Sequence, residues 1–370
     1  MLTSIQKSNS PEFMSATSFI APLPKAPAPS ILELRNLSVT YGRDASSVNT
    51  VNNVSFCVAK GEALGIVGES GCGKSQTMLA VLGLLPQGGR ISAGEVLFEG
   101  QDLTKLSQRA LRNVRGQGIA LISQDALSAL NPAMTIGTQM AEPLVKYGGM
   151  TRTAARLRCI ELLEFVGIPG AASRLSTYPH QLSGGMRQRV LIAMAVSCNP
   201  KVLIADEPTT ALDVTIQAQI LDLLHRLRSE LGMALILITH DLGVVAGVAD
   251  KVAIMYGGRV IETASTDIIF DQPRHPYTRA LLDAIPALGG AVRERLKPIP
   301  GLPPDPRHPV PGCAFNPRCG FVKSLCTQEL PDLAQKDSWP SHLIRCSVDP
   351  LKIEDQQLAS LYQASLRSAP

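Results

Sequence analysis

The stretch ALGIVGESGCGKS, residues 63–75, decides the fold of this chain. Its first five residues form a short apolar run, which is typical of a buried strand. The next eight, residues 68–75, fit the pattern G-x-x-x-x-G-K-[ST], and a helical pattern follows from Lys74 to Leu85. A strand, a glycine-rich loop and a helix in this order predict a phosphate-binding loop.

The residue types in this loop suit nucleotide phosphates. Glycines let backbone N–H groups turn toward a β-phosphate without Cβ clashes, and the start of a helix adds a favourable dipole. Lys74 can reach the β- and γ-phosphates, and Ser75 can bind Mg²⁺. The loop predicts ATP or GTP as the ligand, and the strand and helix around it argue against a simple solvated turn. The expected nucleotide-binding residues are Gly68, Glu69, Ser70, Gly71, Cys72, Gly73, Lys74, Ser75 and Gln76.

A second motif, KVLIADE at residues 201–207, places two carboxylates at the end of a predicted buried strand. Neighbouring side chains of a strand point to opposite sides. One carboxylate, Asp206, can therefore hold Mg²⁺ while Glu207 polarises the attacking water. Taken alone, the pair could equally be a solvated strand exit, but the preceding phosphate loop favours the functional interpretation.

The remaining patterns divide the chain into three parts. Residues 1–30, rich in Ser, Pro and Ala, are expected to be a disordered leader, and Met14 is an alternative start. Residues 31–270 form the predicted nucleotide-binding domain, with an alternating strand before Tyr41, a second such strand at 53–58, apolar strands at 202–205 and 235–238, and a strand pair at 251–261. Within it, residues 125–195 are chiefly helical, for example at 153–166. Residues 271–370 form a C-terminal extension.

The bulk composition is that of a globular protein. The 370 residues are 45% hydrophobic and 18% charged, and the net charge of +4 is too small to indicate nucleic-acid binding. The sequence has no apolar run of the roughly 18 residues that a membrane-spanning helix needs, and the N-terminus has no secretion signal. We therefore expect a cytosolic protein, with at most a peripheral membrane role.

Four cysteines, Cys313, Cys319, Cys326 and Cys346, crowd into the C-terminal extension after seven prolines between residues 298 and 311. The prolines predict an extended connector. In a reducing compartment such a cluster favours metal over disulfides. Four thiols suit either a tetrahedral metal site or an iron–sulfur cluster, and the spacing does not choose between them.

The stretch Leu182-Ser183-Gly184-Gly185-Met186 resembles the signature of the ABC ATPases. Ser183 can cap a helix whose two glycines leave its N-terminal amides open as a second anion site. In that family the signature binds the γ-phosphate held by the phosphate loop of a partner chain. The fifth residue is usually Gln, and we do not expect Met186 to impair activity.

The other motifs of the family also match in order. Tyr41 resembles the aromatic residue that stacks on adenine. Gln124 is similar to the glutamine that senses both the γ-phosphate and the transmembrane partner, and it is a candidate Mg²⁺ ligand. Asp213, in Ala211-Leu212-Asp213, resembles the loop that crosses the dimer interface. His240 resembles the switch histidine. Each has a structural alternative, namely strand-end packing, a surface amide, a helix cap and a strand-end histidine, and the joint occurrence favours the family.

Three further stretches narrow the resemblance to the importers of dipeptides, oligopeptides and nickel. They are 124–132, 178–218 and HPYTRALL at 275–282, and the similarity runs from about residue 31 to about residue 348. The resemblance implies an α/β P-loop ABC ATPase core with an antiparallel β subdomain, an inserted helical subdomain and a small C-terminal cysteine-rich module. It implies ATP hydrolysis that powers peptide import, with nickel as the second candidate.

The resemblance also implies partners and a location. These are a second ATPase subunit, giving a heterodimer, two membrane permeases and an extracytoplasmic substrate-binding protein, at the cytoplasmic face of a bacterial inner membrane. A soluble ABC protein acting on nucleic acid or ribosomes is the alternative from another class. It is disfavoured because such proteins usually hold two ATPase cores in one chain, whereas each motif occurs once here.

The C-terminal cysteines resemble the 4Fe-4S extension of the peptide-importer ATPases, which makes a 4Fe-4S cluster the first expectation. Zn²⁺, with His308 or His342 as a substitute ligand, and four free packing cysteines remain as alternatives.

Overall fold

Strands and helices alternate along residues 29–42, 47–210, 212–285, 298–336 and 341–348, which are the residues that the computed structural model describes. Residues 1–28 of the predicted leader lie outside them, as does Ala211. The strands among the described residues are β1 Ser30–Tyr41, β2 Val48–Ala59, β3 Ala63–Val67, β4 Gly89–Phe98, β5 Gln101–Asp102, β6 Ile119–Ile122, β7 Val202–Asp206, β8 Ala234–Thr239, β9 Lys251–Tyr256, β10 Arg259–Ser265, β11 Ala334–Gln335 and β12 Leu343–Ile344.

The helices lie chiefly between these strands. They are, within the same ranges, α1 Lys74–Val81, α2 Gln108–Asn113, α3 Ala126–Ala129, α4 Ile136–Lys146, α5 Arg152–Phe165, α6 Ala171–Arg174, α7 Gly184–Val196, α8 Val214–Leu231, α9 Leu242–Ala246, α10 Thr266–Asp271, α11 Pro276–Asp283 and α12 Ser324–Gln328. Helices α3 to α7 all fall between β6 and β7. No helix in the described part of the chain is long and apolar enough to cross a membrane.

The larger sheet has the strand order β11-β12-β10-β9-β3-β8-β7-β6 among the described residues. The strands from β9 to β6 run parallel, and β10, β12 and β11 continue antiparallel at one edge. A second, antiparallel sheet has the order β2-β1-β4-β5, which confirms the antiparallel strands expected near Tyr41. The fold is therefore α/β with one mixed and one antiparallel sheet.

Two apolar cores lie on opposite faces of the larger sheet. In β3, Ala63 and Val67 belong to the core that includes α4, α5, α7 and α8, whereas Leu64 and Ile66 belong to the core that includes α1 and the antiparallel sheet. Alternate side chains of a strand point to opposite faces. A central strand covered on both faces must therefore be apolar throughout, as β3 is.

Three sequence expectations differ from the structure. The helix predicted over 74–85 ends at Val81, because Gly83 adopts a φ of +61°, which is incompatible with helix. The second strand begins at Val48 rather than Asn53. The core sheet does not end at β10, because β12, from the C-terminal extension, pairs with β10 at Glu262 and Thr263.

Candidate functional site

The predicted catalytic residues follow the carboxyl ends of parallel strands. The phosphate loop follows β3, Gln124 follows β6, Glu207 follows β7 and His240 follows β8. These four strands are parallel and adjacent, in the order β3-β8-β7-β6. Their carboxyl ends share one edge of the sheet, where open α/β sheets bind ligands.

The phosphate loop is closed around its own lysine. The Lys74 side chain is buried, and its Nζ donates hydrogen bonds to the carbonyl oxygens of Gly68 at 2.6 Å and Glu69 at 3.0 Å. At Gly68 a Cβ would lie 2.2 Å from the carbonyl oxygen of Met255, so only glycine fits. The loop therefore holds a cation at the start of α1, where a phosphate oxygen could displace the carbonyl contacts.

The phosphate loop and the acidic strand end meet directly. The Ser75 hydroxyl donates to Asp206 Oδ1 at 3.0 Å. Burial raises the pKa of Asp206, the neighbouring charge of Glu207 adds to the rise, and the Ser75 hydrogen bond and Lys74 oppose it. A hydroxyl and a carboxylate side by side are the hard oxygen donors that Mg²⁺ prefers, so the pair fits this ion.

Glu207 is held by three side chains. Its Oε2 accepts hydrogen bonds from Gln124 Nε2 at 3.0 Å and from the Thr210 hydroxyl at 2.9 Å, and His240 Nδ1 lies 3.3 Å from its Oε1. Its backbone has a φ of +46°, a strained value for a residue with a side chain. The strain turns Glu207 out of the strand, and the three contacts fix where its carboxylate points.

Tyr41 lies at the end of β1 and contacts the first turn of α1. Its hydroxyl donates to Gln76 Oε1, and burial raises its pKa. The ring also lies against Gly89, where a Cβ would come within 2.8 Å of it. These contacts bring two of the predicted nucleotide-binding residues, Tyr41 and Gln76, together.

The signature residues form a second cluster, at the starts of α7 and α8. The Ser183 side chain accepts from the Met186 N–H at 3.3 Å and so caps α7, as expected. The Asp213 carboxylate accepts from the Ile216 N–H at 2.9 Å and caps α8. A Cβ at Gly185 would lie 3.0 Å from Ile216 Cγ2, so the two helix starts are close neighbours.

Three contacts of the site have no signal in the local sequence. One is the hydrogen bond from the Thr210 hydroxyl to Glu207. The others reach Glu69 of the phosphate loop: the Tyr277 hydroxyl accepts from the Glu69 N–H at 2.9 Å, and Arg318 forms a salt bridge with its carboxylate at 2.6 Å. Tyr277 belongs to the stretch HPYTRALL at 275–282, which resembles the peptide importers, but no local pattern shows which residue it contacts.

The four C-terminal cysteines line one small cavity, of about 20 Å³, together with Phe315 and His275. All are free thiols. The N–H groups of Phe321 and Val348 donate to the sulfurs of Cys319 and Cys346 at 3.4 and 3.3 Å. Burial raises the pKa of each of these two thiols to about 12, although the N–H donors oppose it.

The thiols around this cavity are the donor type that an iron–sulfur cluster needs, but the distances between them are not those of a metal site. Across the described ranges, no three His, Cys, Asp or Glu side chains are grouped closely enough to hold a metal ion. The two histidines considered as zinc ligands are engaged elsewhere, since His342 Nε2 lies 2.8 Å from Glu262 and His308 lies 3.3 Å from Asp305. The four thiols therefore line one cavity, but they are not close enough together in this arrangement to ligate one ion.

Comparisons with known proteins find similarity to ATP-binding proteins of ABC transporters. A family model described as ABC transporter matches residues 51–210, and one described as oligopeptide/dipeptide transporter, C-terminal region, matches residues 261–326. The oligopeptide transport ATP-binding protein OppD of Bacillus subtilis is 46% identical over 90% of this chain and 96% of its own length. The dipeptide transport ATP-binding protein DppD of Escherichia coli is 49% identical over 82% of this chain and 92% of its own length.

Solved structures show a similar fold. The dimeric ATP-binding cassette MJ0796, bound to ADP and Pi, has a TM-score of 0.57 and 30% identity, and the match covers 64% of this chain and 98% of that chain. The protein cbiO1 of Clostridium perfringens, part of the ABC transporter complex cbiONQ, has a TM-score of 0.56 and 28% identity. The match covers 65% of this chain and 90% of that chain.

Proposed function

We propose that this chain, which belongs to the ATP-binding proteins of oligopeptide and dipeptide ABC transporters, hydrolyses ATP to power peptide import. The observation that carries this proposal is the junction of two motifs. Ser75 of the phosphate loop bonds Asp206 at 3.0 Å, and the next residue, Glu207, is held by Gln124 and Thr210. Phosphate binding, a Mg²⁺ donor pair and a general base thus occupy one edge of the sheet.

In the proposed mechanism, Lys74 and the loop N–H groups bind the β- and γ-phosphates. Bound Mg²⁺ would neutralise charge on those phosphates, with Ser75, Asp206 and Gln124 as its candidate ligands. Glu207 accepts a proton from a water molecule, whose oxygen attacks the γ-phosphorus while the bond to the ADP oxygen breaks. Products are ADP and phosphate. His240, beside Glu207, is placed to respond to the γ-phosphate.

The signature cluster is proposed to serve the ATP site of a second ATPase subunit. Ser183 and the two glycines after it open the N-terminus of α7, an anion-binding arrangement, next to the Asp213 loop. Two such subunits would close on two ATP molecules, with Tyr41 against adenine. Met186, at the usual Gln position, resembles the residue common in one of the two paired ATPase subunits of this subfamily, which supports a heterodimer. Two integral permeases and an extracytoplasmic substrate-binding protein complete the proposed importer.

The domain boundaries are proposed as the sequence indicates. Residues 31–270 form the nucleotide-binding domain, with a helical subdomain at about 125–195, supported by the run of α3 to α7 between β6 and β7. Residues 271–370 form the extension, although β12 also completes the core sheet. The chain is proposed to act at the cytoplasmic face of a bacterial inner membrane, bound peripherally to the permeases.

Reconstitution tests the function. The complex should be purified from detergent extracts through a tag on this chain and placed in vesicles with ATP inside and the binding protein outside. We expect integral membrane subunits to co-purify and labelled di- or oligopeptide uptake to require ATP. Uptake of Ni²⁺ instead of peptide would move the substrate to the second candidate. Recovery of ribosomes or nucleic acid without permeases would overturn the transport proposal.

We further propose that Cys313, Cys319, Cys326 and Cys346 hold a structural 4Fe-4S cluster. The proposal is supported by the position of the four thiols around one cavity and by the N–H···S bonds to Cys319 and Cys346. A cluster would tie together a proline-rich segment that has little regular structure of its own. When bound, it would contribute cross-linking of four chain positions, with no part in ATP hydrolysis.

Protein purified without oxygen should be brown and contain about four iron atoms per chain, and should lose both in air. Replacing Cys319 with Ser should remove most of the iron and lower the melting temperature, because the segment loses its cross-link. The matched control is Cys57→Ser, a change at an exposed cysteine on β2. Colourless, iron-free protein prepared without oxygen would contradict the cluster, and stoichiometric zinc in that protein would replace it with a zinc site.

A further inference from the structure

Arg318, in the C-terminal extension, forms a two-pronged ion pair with the phosphate loop. Its Nη1 and Nη2 donate to Glu69 Oε2 and Oε1 at 2.6 and 2.9 Å, across 249 positions of sequence. The arginine side chain is only 4% exposed and that of Glu69 24% exposed. A bidentate pair shielded from water is stronger and more directional than a surface ion pair.

The guanidinium group is fixed by further contacts. Its Nε donates to the carbonyl oxygen of Pro300 at 2.8 Å, and Nη1 also donates to the Tyr256 hydroxyl at 3.1 Å. The group lies 5.8 Å from the centre of the Tyr256 ring and 6.0 Å from that of Phe315. Arg318 therefore presents a rigid fork to Glu69 rather than a mobile charge.

Glu69 in turn connects this fork to the phosphate-binding lysine. Its carbonyl oxygen accepts from Lys74 Nζ at 3.0 Å, and its N–H donates to the Tyr277 hydroxyl at 2.9 Å. The side chain, carbonyl and N–H of Glu69 are thus all hydrogen-bonded. The partners of its side chain and N–H, Arg318 and Tyr277, both come after β10 in the chain. A change at Arg318 can therefore alter the position of Lys74 through Glu69 alone.

We propose that Arg318 is a positioning residue for ATP binding, which neutralises Glu69 and fixes the start of the phosphate loop from the C-terminal extension. This inference rests on the proposed function. The physical reason is charge. A half-buried carboxylate next to Gly68 would repel the negative triphosphate at short range and low dielectric unless a cation compensates it. The extension then sets ATP affinity while the groups around Glu207 set the rate of hydrolysis.

The test is ATP binding and hydrolysis by the full chain with Arg318→Ala. We expect the KM and the dissociation constant of a fluorescent ATP analogue to rise about tenfold, the effect of losing one charge-assisted pair. The kcat should change less than about twofold, since Asp206 and Glu207 are untouched. Arg318→Lys keeps the charge and the fold but loses the fork, and should give a smaller rise in KM.

A second change separates positioning from general damage. With Glu69→Gln in place, the repelling charge is gone, so Arg318→Ala and Arg318→Lys should each lose most of their effect on KM. A purely structural arginine would show no such suppression, because its bonds to Pro300 and Tyr256 are lost in either background. A wild-type KM in both Arg318 variants, or a rise that Glu69→Gln leaves unchanged, would overturn the proposal.

Arg345 provides the matched control. It also precedes a cluster cysteine and is buried, but it donates to the carbonyl oxygens of Val260 and Pro331 at 3.1 and 3.0 Å. Arg345→Ala should lower the melting temperature and leave the KM for ATP near wild type. If the unaltered chain bound no ATP at all, the proposed function would fail instead, so the two failures are distinguishable.

Discussion

Replacing Glu207 with Gln should leave ATP binding within about threefold of wild type and lower kcat by about a thousandfold, within the range for loss of a general base. The amide has the shape of the carboxylate, and its oxygen can still accept from Gln124 and Thr210. The site geometry is therefore kept, while the group that accepts the proton of water is lost. Phosphate release at saturating ATP measures the rate, and equilibrium binding of a fluorescent analogue measures the affinity.

The same chemical change at an exposed glutamate provides the control. Glu161 on α5 pairs with Arg158 at 3.0 Å on the surface, and Glu161→Gln should hydrolyse ATP at the wild-type rate. A Glu207→Gln variant that kept wild-type turnover would remove Glu207 from the mechanism and leave Asp206 or a water chain as the base. A variant that lost ATP binding would show that Glu207 serves structure rather than proton transfer.

The parts of the site that sequence could predict are those written in contiguous residues. In residues 63–75 the strand, the loop and the start of the helix are encoded by local preferences of backbone and burial. The carboxylate pair follows from its place at a strand end. Ser183 and Asp213 are predictable as helix caps because capping joins a side chain and an N–H only three positions apart.

The parts that sequence could not predict depend on pairing across the chain. Arg318 meets Glu69 only after the extension has folded back over the core, and nothing in the residues around either one indicates the other. The same holds for Tyr277, whose hydroxyl contacts Glu69 of the phosphate loop, 208 positions earlier in the chain. The strand β12 has two residues, too few for periodicity, so its addition to the core sheet had no local signal.

The long-range pairing changes how the extension should be regarded. The sequence suggested a separate cysteine module beyond a proline connector. In the structure, Glu262 of the core strand β10 is fully buried, accepts the N–H groups of Arg274 and His275, and contacts His342 at 2.8 Å. A buried carboxylate needs such partners. The extension is therefore attached to the core at β10 and at the phosphate loop, and damage to it should be felt at both.

Replacing Lys74 with Ala should weaken ATP binding by about a hundredfold and leave no measurable hydrolysis. The lysine supplies a buried cation to two phosphates, and two charge-assisted hydrogen bonds of about 1.5 kcal/mol each correspond to roughly that factor. Titration with a fluorescent ATP analogue measures the loss, and the rise in melting temperature with added ATP should vanish. The control is Lys201→Ala, which removes an exposed pair with Glu99 at 2.7 Å and should bind ATP normally.

The melting temperature without ATP decides how a loss in the Lys74→Ala variant is interpreted. Lys74 satisfies the carbonyls of Gly68 and Glu69, so its removal costs the loop two hydrogen bonds even when no nucleotide is present. The Gly68 carbonyl is buried and Glu69 is half-buried, so losing both bonds should lower the melting temperature by several degrees even without nucleotide. Affinity within about threefold of wild type would show that the loop N–H groups bind ATP without the lysine, and would overturn its assigned role.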